Sequence, residues 1–349
     1  MVKTLKSEKK KSPAAALEPE VDIPIRGGAS VKRKMVEVIN EMCKSDAGRA
    51  ILETAAENGY ELRFDKNAAN EGIFGYADPC EECCALNPEN SLAENIATLA
   101  HELRHAYQFT YENLTDLEGY EYDTKTLLHR DRIMEADAES YGCLVAWELK
   151  EQGNEACWKD FETEFPEITG SFEAAYKETG DINQARTAAF KGWYDNADRR
   201  DSYDEGVVQE IEGTSPRSIN KKLKSVSAAK FVKAFCSDPQ TGDNYFTDDP
   251  NVLETGKYTA LYEDMKDRIV AQHQKREALS GHIPDKTIAG IEAQKRPEVK
   301  LENNARAVSA EAKEAALASR QKHAAKQIKQ QKKPSLTAAA LLHKKNKTR

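Results

Sequence analysis

The feature that most constrains the fold is one capped helical segment. Ser91 and Glu94 have the spacing of a capping box, in which each residue satisfies a free backbone amide of the other. Apolar residues then recur with helical spacing, as at Leu99 and Leu103. The pattern predicts an amphipathic helix over residues 92–109, so the fold must cover one of its faces.

The same helix carries two histidines, His101 and His105, with Glu102 next to the first. Residues four apart share a helix face, so both imidazoles can reach one ion. A His-Glu-x-x-His helix of this kind binds zinc through its histidines, and its glutamate lies beside the ion as a general base. The sequence therefore predicts one Zn²⁺ site, with His101 and His105 as ligands and Glu102 as catalytic residue.

Catalytic zinc generally takes three protein ligands, so a third ligand is required. The extended motif with a further glycine and histidine is excluded, because Gln108 and Tyr111 occupy those positions. A second helix, predicted over residues 131–152, offers Glu135 and Glu139 on one face. Asp137 points away from both glutamates, by about 160° at ~100° per residue.

Glu135 is the favoured third metal ligand. Glu139 would then orient the metal ligands without binding the ion itself, or the two glutamates would exchange these roles. His129 remains an alternative ligand.

The segment His-Glu-Leu-Arg-His-Ala-Tyr-Gln at 101–108, with Glu-Ala-Asp-Ala-Glu at 135–139, resembles the gluzincin-type zincins. Within that group it is most similar to bacterial zinc metallopeptidases, and more distantly to ImmA/IrrE-like peptidases. The similarity covers about residues 55–150. It implies a zincin-like fold, with a small sheet packed on the active-site helix and an edge strand near residues 84–87 that aligns the substrate.

The resemblance also implies the reaction. A metal-activated water would attack a peptide bond, with Glu102 as general base. Tyr141, Tyr194, Tyr203 and His129 are all open as stabilisers of the oxyanion, without a choice among them.

Two other functions are compatible with the same motif. One is a catalytically silent zincin-like module that binds or regulates partners through its basic tails. The other is a zinc hydrolase that acts on a non-peptide amide. Replacing Glu102 with glutamine separates the first from a peptidase, since only the peptidase depends on the base.

Charge divides the chain into an acidic body and two basic ends. Residues 1–12 carry a net +4 and residues 301–349 a net +9, although the whole chain carries −8. We predict a disordered basic arm over 1–30, a metallopeptidase body over 31–270 and a Lys/Ala/Gln-rich tail over 271–349. A boundary near residue 154 would divide the body into a catalytic and a helical part.

The body is predicted to be α+β. Residues 31–58 favour two helices broken near residues 45–48, and residues 60–64, 72–76 and 84–87 favour strands. The half beyond residue 155 is mainly α-helical, and its aromatic residues, including the three tryptophans, are expected to form its core.

Localisation and partners are constrained only indirectly. Apolar runs of the ~20 residues that span a bilayer are missing, and the Lys-rich start lacks a following apolar segment. With an odd number of cysteines, 7, we expect a cytoplasmic protein with reduced thiols, including Cys80, Cys83 and Cys84. Besides a peptide substrate, an acidic partner or nucleic acid could bind the basic tail.

Overall fold

The structure is a computed structural model that describes residues 18–215, 222–282 and 285–296. It is an α+β protein, as the sequence predicted, and most described residues are helical. The strands are β1 Glu61–Phe64, β2 Gly75–Asp78, β3 Cys83–Leu86, β4 Leu261–Tyr262 and β5 Ala293–Gln294. The helices are α1 Ala29–Met42, α2 Asp46–Glu57, α3 Lys66–Asn70, α4 Leu92–Gln108, α5 Glu112–Thr115, α6 Thr124–Glu151, α7 Glu155–Glu164, α8 Pro166–Thr179, α9 Ile182–Trp193, α10 Ala197–Gly213, α11 Ala228–Phe235 and α12 Glu263–Ser280.

The capped helix is confirmed as α4. The Glu94 amide donates to Ser91 Oγ at 3.1 Å, and the Ser91 amide donates to Glu94 Oε2 at 2.6 Å. Leu99 and Leu103 are fully buried on the inward face. Helices α1, α2, α6 and α7 surround α4 together with the sheet, so the motif lies in the middle of the fold.

A three-stranded sheet covers one side of α4, in the order β1-β3-β2. Strand β3 is parallel to β1 and antiparallel to β2, with Cys84 opposite Leu62 on one side and Ala77 on the other. The expectation of an edge strand near residues 84–87 is therefore wrong, because β3 is central and all four of its residues are buried. Among the described residues, β2 is the outer strand on the other side of β3 from β1.

Strand β2 lies later in the chain than the predicted 72–76, and Gly75 explains its close approach to α4. A Cβ atom at Gly75 would lie 2.7 Å from Thr98 Cγ2 on α4 and 2.7 Å from the Ala85 carbonyl oxygen. A side chain at this position would force the strand away from the helix.

Helix α6 begins seven residues before the predicted helix, because its first turns bury polar residues that hide the apolar period. Arg132 is 0% exposed and pairs with Asp204 through two contacts of 2.7 Å. The half-buried Arg130 makes a single contact with Glu210, at 2.8 Å. Ion pairs of this kind let charged side chains occupy a helix face that the sequence presents as solvent-exposed.

The packed body extends beyond both predicted boundaries. Val21 and Ile23, within the predicted arm, are 6% and 3% exposed, and Ile25 bridges to Leu62 on β1. Past residue 270, His273 lies 3.3 Å from Asp285, and both are buried. Residues 1–17 and 297–349, which include most of the predicted arm and tail with its expected partners, lie outside the described residues.

One core cluster of buried side chains extends on both sides of residue 154. Trp158 and Phe172 are buried beside the ring of Trp147, whose centroid lies 5.2 and 5.3 Å from theirs. Trp193 is also fully buried. Trp158 and Trp193 therefore belong to the core, as predicted, and the half-buried Trp147 packs against it.

All seven cysteines are free, and six of them are buried, with Cys80 the exposed one. Among the described helices, none combines the length and the apolar character that a bilayer crossing requires.

Candidate metal centre

Helix α4 presents His101, Glu102 and His105 at one buried cluster. Their exposed fractions are 5%, 4% and 8%, and one ligand atom from each lies within 4.8 Å of the others. The Nε2 atoms of His101 and His105 are 2.9 Å apart. The two imidazoles therefore direct the same ring nitrogen toward a common point, as the helical spacing predicts.

Helix α6 brings Glu135 to the same point. Glu135 Oε1 lies 3.4 Å from His105 Nε2, and Oε2 lies 3.6 Å from His101 Nε2. Tetrahedral bonds of 2.0–2.1 Å to one ion place donor atoms about 3.4 Å apart. The two separations between Glu135 and the histidines therefore match that spacing, and the two imidazole nitrogens, 2.9 Å apart, are about 0.5 Å closer than it.

Glu139 lies behind His101, one helical turn after Glu135. Its Oε1 is 3.5 Å from His101 Nδ1, the ring nitrogen that faces away from His105. A carboxylate in this position can hold the ring of a metal-binding histidine in place.

The charges of the cluster also fit a cation. Three carboxylates, from Glu102, Glu135 and Glu139, meet two imidazoles, and the side chains of Glu135 and Glu139 are 17% and 8% exposed. Even two protonated imidazoles would leave one negative charge in excess. Burying such a charge is costly, and a divalent cation would compensate it.

The neighbouring carboxylates raise the pKa of His105. Burial lowers the pKa of its imidazole, but the charge of Glu135 and hydrogen bonds to Glu135 and Gln108 outweigh burial and raise the pKa to about 9. A metal ion must therefore displace a proton from His105 at neutral pH.

The alternative ligand His129 lies elsewhere. Its Nε2 is 3.2 Å from the carbonyl oxygen of Leu253, and burial lowers the pKa of the imidazole to about 4. The structure does not bring His129 into the cluster of His101, Glu102 and His105.

The tyrosines considered for the oxyanion have other contacts. The Tyr141 hydroxyl donates to the Ala47 carbonyl at 2.8 Å, and Tyr194 is buried against Trp193 and Tyr258. Tyr203 packs on Trp193. The oxyanion role stays unassigned among them.

In the described part of the chain, Cys80, Cys83 and Cys84 do not join a group of metal-binding side chains. Cys83 and Cys84 are buried in β3, and burial raises the pKa of Cys83 to about 12 and that of Cys84 well above its usual range. The charge of Glu102 adds to the effect on Cys84. These two thiols therefore stay protonated at neutral pH, whereas metal binding requires the thiolate.

Sequence reasoning missed two residues next to the cluster, Gln108 and Asp137. Gln108 Oε1 lies 2.7 Å from His105 Nδ1, and Gln108 Nε2 donates to Asp137 at 2.8 Å. The three-residue spacing between His105 and Gln108 is a signal that could have found the first contact. Asp137 was expected to point away from the two glutamates, yet it also contacts α4, through Arg104 and Gln108.

Comparison with known proteins places the chain in a family. A family model described as "Putative metallopeptidase family (DUF6782)" matches residues 14–246, about two thirds of the chain. No curated protein and no solved structure shows significant similarity to this chain. The matched segment contains the whole cluster between α4 and α6, and the family implies a metal in keeping with the donors there. This chain therefore belongs to the putative metallopeptidase family DUF6782.

Proposed function

We propose that the protein is a zinc-dependent metallopeptidase of the gluzincin type, with His101, His105 and Glu135 as the metal ligands and Glu102 as the general base. The observation that carries the proposal is the convergence of donor atoms from α4 and α6, within 2.9 to 3.6 Å of one another. Membership of a metallopeptidase family supports a hydrolase that acts on peptide bonds.

The donor set favours zinc over other common ions. Two imidazole nitrogens and one carboxylate suit Zn²⁺, whereas Mg²⁺ and Ca²⁺ prefer oxygen ligands alone. Three protein ligands leave a fourth position open for a substrate or water, as catalytic zinc sites do. A bound zinc ion would polarise the scissile carbonyl and lower the pKa of a water molecule toward ~7.

Glu102 supplies the proton transfers. It follows His101 directly in the chain, and one of its carboxylate oxygens lies within 4.8 Å of the imidazole donors. From there the carboxylate accepts a proton from the attacking water and returns it to the leaving amine. Its 4% exposure limits competition from bulk water for that proton.

The metal assignment is tested by measuring zinc per chain with plasma mass spectrometry. We expect about one zinc in the wild type, a sharp loss in Glu135→Ala, and no change in Glu151→Ala. Glu151 is the matched control, because it is an exposed glutamate at the end of the same helix. Full zinc retention by Glu135→Ala would overturn its role as ligand, and a metal-free wild type after zinc is supplied would overturn the zinc site.

The catalytic assignment is tested with Glu102→Gln and a library of fluorescence-quenched peptides. Positioned general bases contribute about 10²–10⁴-fold to rate, so we expect at least a ~100-fold loss of kcat/KM with zinc content unchanged. Equal activity of Glu102→Gln and wild type would refute the base assignment. A zinc-loaded wild type that cleaves no peptide would instead support a silent binding module.

A further inference from the structure

Gln108 holds the metal-ligand candidate His105 from behind. His105 Nδ1 lies 2.7 Å from Gln108 Oε1, while its Nε2 faces His101 at 2.9 Å and Glu135 at 3.4 Å. Gln108 is 0% exposed, so water does not compete for its amide. The two nitrogens of one imidazole therefore have separate tasks, one toward the site and one toward Gln108.

The surroundings of Gln108 decide which end of its amide faces His105. Gln108 Nε2 lies 2.9 Å from the Met134 carbonyl oxygen and 2.8 Å from Asp137 Oδ2. Both neighbours are acceptors, so the two hydrogens of the amide nitrogen point toward them. Gln108 Oε1 must then face His105, and it can only accept. A neutral His105 consequently carries its proton on Nδ1 and directs the lone pair of Nε2 into the site.

Asp137 is in turn fixed by Arg104. Arg104 Nε donates to Asp137 Oδ2 at 2.7 Å, and Arg104 Nη2 donates to Oδ1 at 3.1 Å. The Tyr245 hydroxyl donates to the same Oδ1 at 2.9 Å. Arg104 and Asp137 are 0% exposed, and Arg104 also donates to the Ser237 carbonyl at 2.8 Å, beyond the end of α11. The network therefore connects α4, α6 and the segment after α11.

We propose that Gln108, Asp137 and Arg104 are positioning residues that hold His105 in the tautomer able to bind a divalent cation through Nε2. The inference rests on the proposed function, because it assigns His105 as a metal ligand. None of the three residues needs to touch the metal or the substrate. Their effect is to hold the ring in place and to keep the remaining proton on Nδ1 when the ion displaces the proton of Nε2.

The expected size of the effect follows from how such contacts behave. Removing a residue that orients a metal ligand generally costs about 10–100-fold in metal affinity. Without Gln108, the Nδ1 proton of His105 would have no acceptor in its buried pocket. The imidazole could then rotate or place its proton on Nε2, and both changes remove the lone pair from the site.

The experiment measures zinc affinity by competition with a chromophoric chelator, using full-length Gln108→Met, Gln108→Glu and Gln272→Met. Methionine preserves the volume of glutamine but removes its acceptor. Glutamate preserves an acceptor toward His105 and, when protonated beside Asp137, also a donor. Gln272, on α12, is the matched control, because it is 6% exposed and its amide donates to the backbone carbonyls of Glu212 and Thr214, outside the cluster.

We expect Gln108→Met to bind zinc about 10–100-fold more weakly than the wild type. Gln108→Glu should stay within about tenfold of it, and Gln272→Met should bind zinc as the wild type does. The visible spectrum of the Co²⁺-loaded protein should change in Gln108→Met alone. If Gln108→Met does not fold, Gln108→Asn replaces it, since its amide is too short to reach both His105 and Asp137.

Wild-type affinity and spectrum in folded Gln108→Met, or in the Gln108→Asn variant that replaces it, would overturn the positioning role and leave the zinc site standing. An equal loss of affinity in Gln272→Met would also overturn it, because the effect would then be general destabilisation. A wild type that binds no zinc would overturn this inference and the proposed function together.

Discussion

Replacing Arg104 with methionine should destabilise the protein severely. Methionine replaces the apolar stem of arginine but carries no charge, so it would leave Asp137 buried without its main counter-charge. Arg104 donates twice to Asp137, at 2.7 and 3.1 Å, and both side chains are 0% exposed. Breaking one partner of a buried ion pair costs about 3–5 kcal/mol.

The assay is urea unfolding at neutral pH, followed by circular dichroism, with thermal unfolding as a second measurement. At about 2–4 °C per kcal/mol for a chain of this size, we expect Tm to fall by about 10 °C. The control is Arg268→Met. Arg268 likewise forms ion pairs, with Glu205 and Glu212, but its side chain is 35% exposed. An exposed pair contributes about 0–1 kcal/mol, so the control should remain close to the wild type.

A double variant, Arg104→Met with Asp137→Leu, separates lost packing from uncompensated charge. Removing both charges should leave the double variant less destabilised than the sum of the two single variants. Additive losses, or a loss below about 1 kcal/mol in Arg104→Met alone, would refute the reasoning that the buried charge dominates.

Three further predictions concern other positions. Although burial opposes it, hydrogen bonds from His273 and the first turn of α6 hold the pKa of Asp285 well below its usual range. That stabilisation is present above about pH 4 and is lost as the pH falls. Asp285→Asn should therefore have a free energy of unfolding about 1–3 kcal/mol below that of the wild type at pH 7. Urea titrations should show this difference becoming smaller in acid. Gly75→Ala should lower the free energy of unfolding by about 1–3 kcal/mol, because its Cβ would lie 2.7 Å from the Ala85 carbonyl; a wild-type urea midpoint would contradict this. Glu139→Ala should weaken zinc binding by about 10–100-fold while stoichiometry at saturating zinc stays near one per chain, as chelator competition would show.

Prediction from sequence was most successful where the interactions are local. The capping box of Ser91 and Glu94 was identified in full, as was the helix that follows it. Caps and helical periodicity join residues three or four apart, so they can be read without knowledge of the fold.

Prediction from sequence was weaker where a residue's surroundings come from distant parts of the chain. Alternating apolar residues indicated strands, but the order of strands depends on pairing across the sheet. The edge strand that the resemblance implied near residues 84–87 is the central strand β3. Packed residues continue past the predicted ends of the body, since residues 18–28, 271–282 and 285–296 are partly held by polar contacts that composition does not register. Because a buried ion pair and an exposed one use the same residue types, the sequence does not show which of them is buried.

The sequence by itself determined that His101 and His105 share a helix face with Glu102 beside them, because the geometry of one helix requires it. Only the tertiary structure decided that Glu135 approaches that face while His129 does not, and that Gln108 meets Asp137 behind it. The contacts of Glu135 with His105 and of Gln108 with Asp137 cross between α4 and α6, over separations of 30 and 29 residues. The angle and depth at which two helices pack are set by all the side chains around them, and no local pattern records that result.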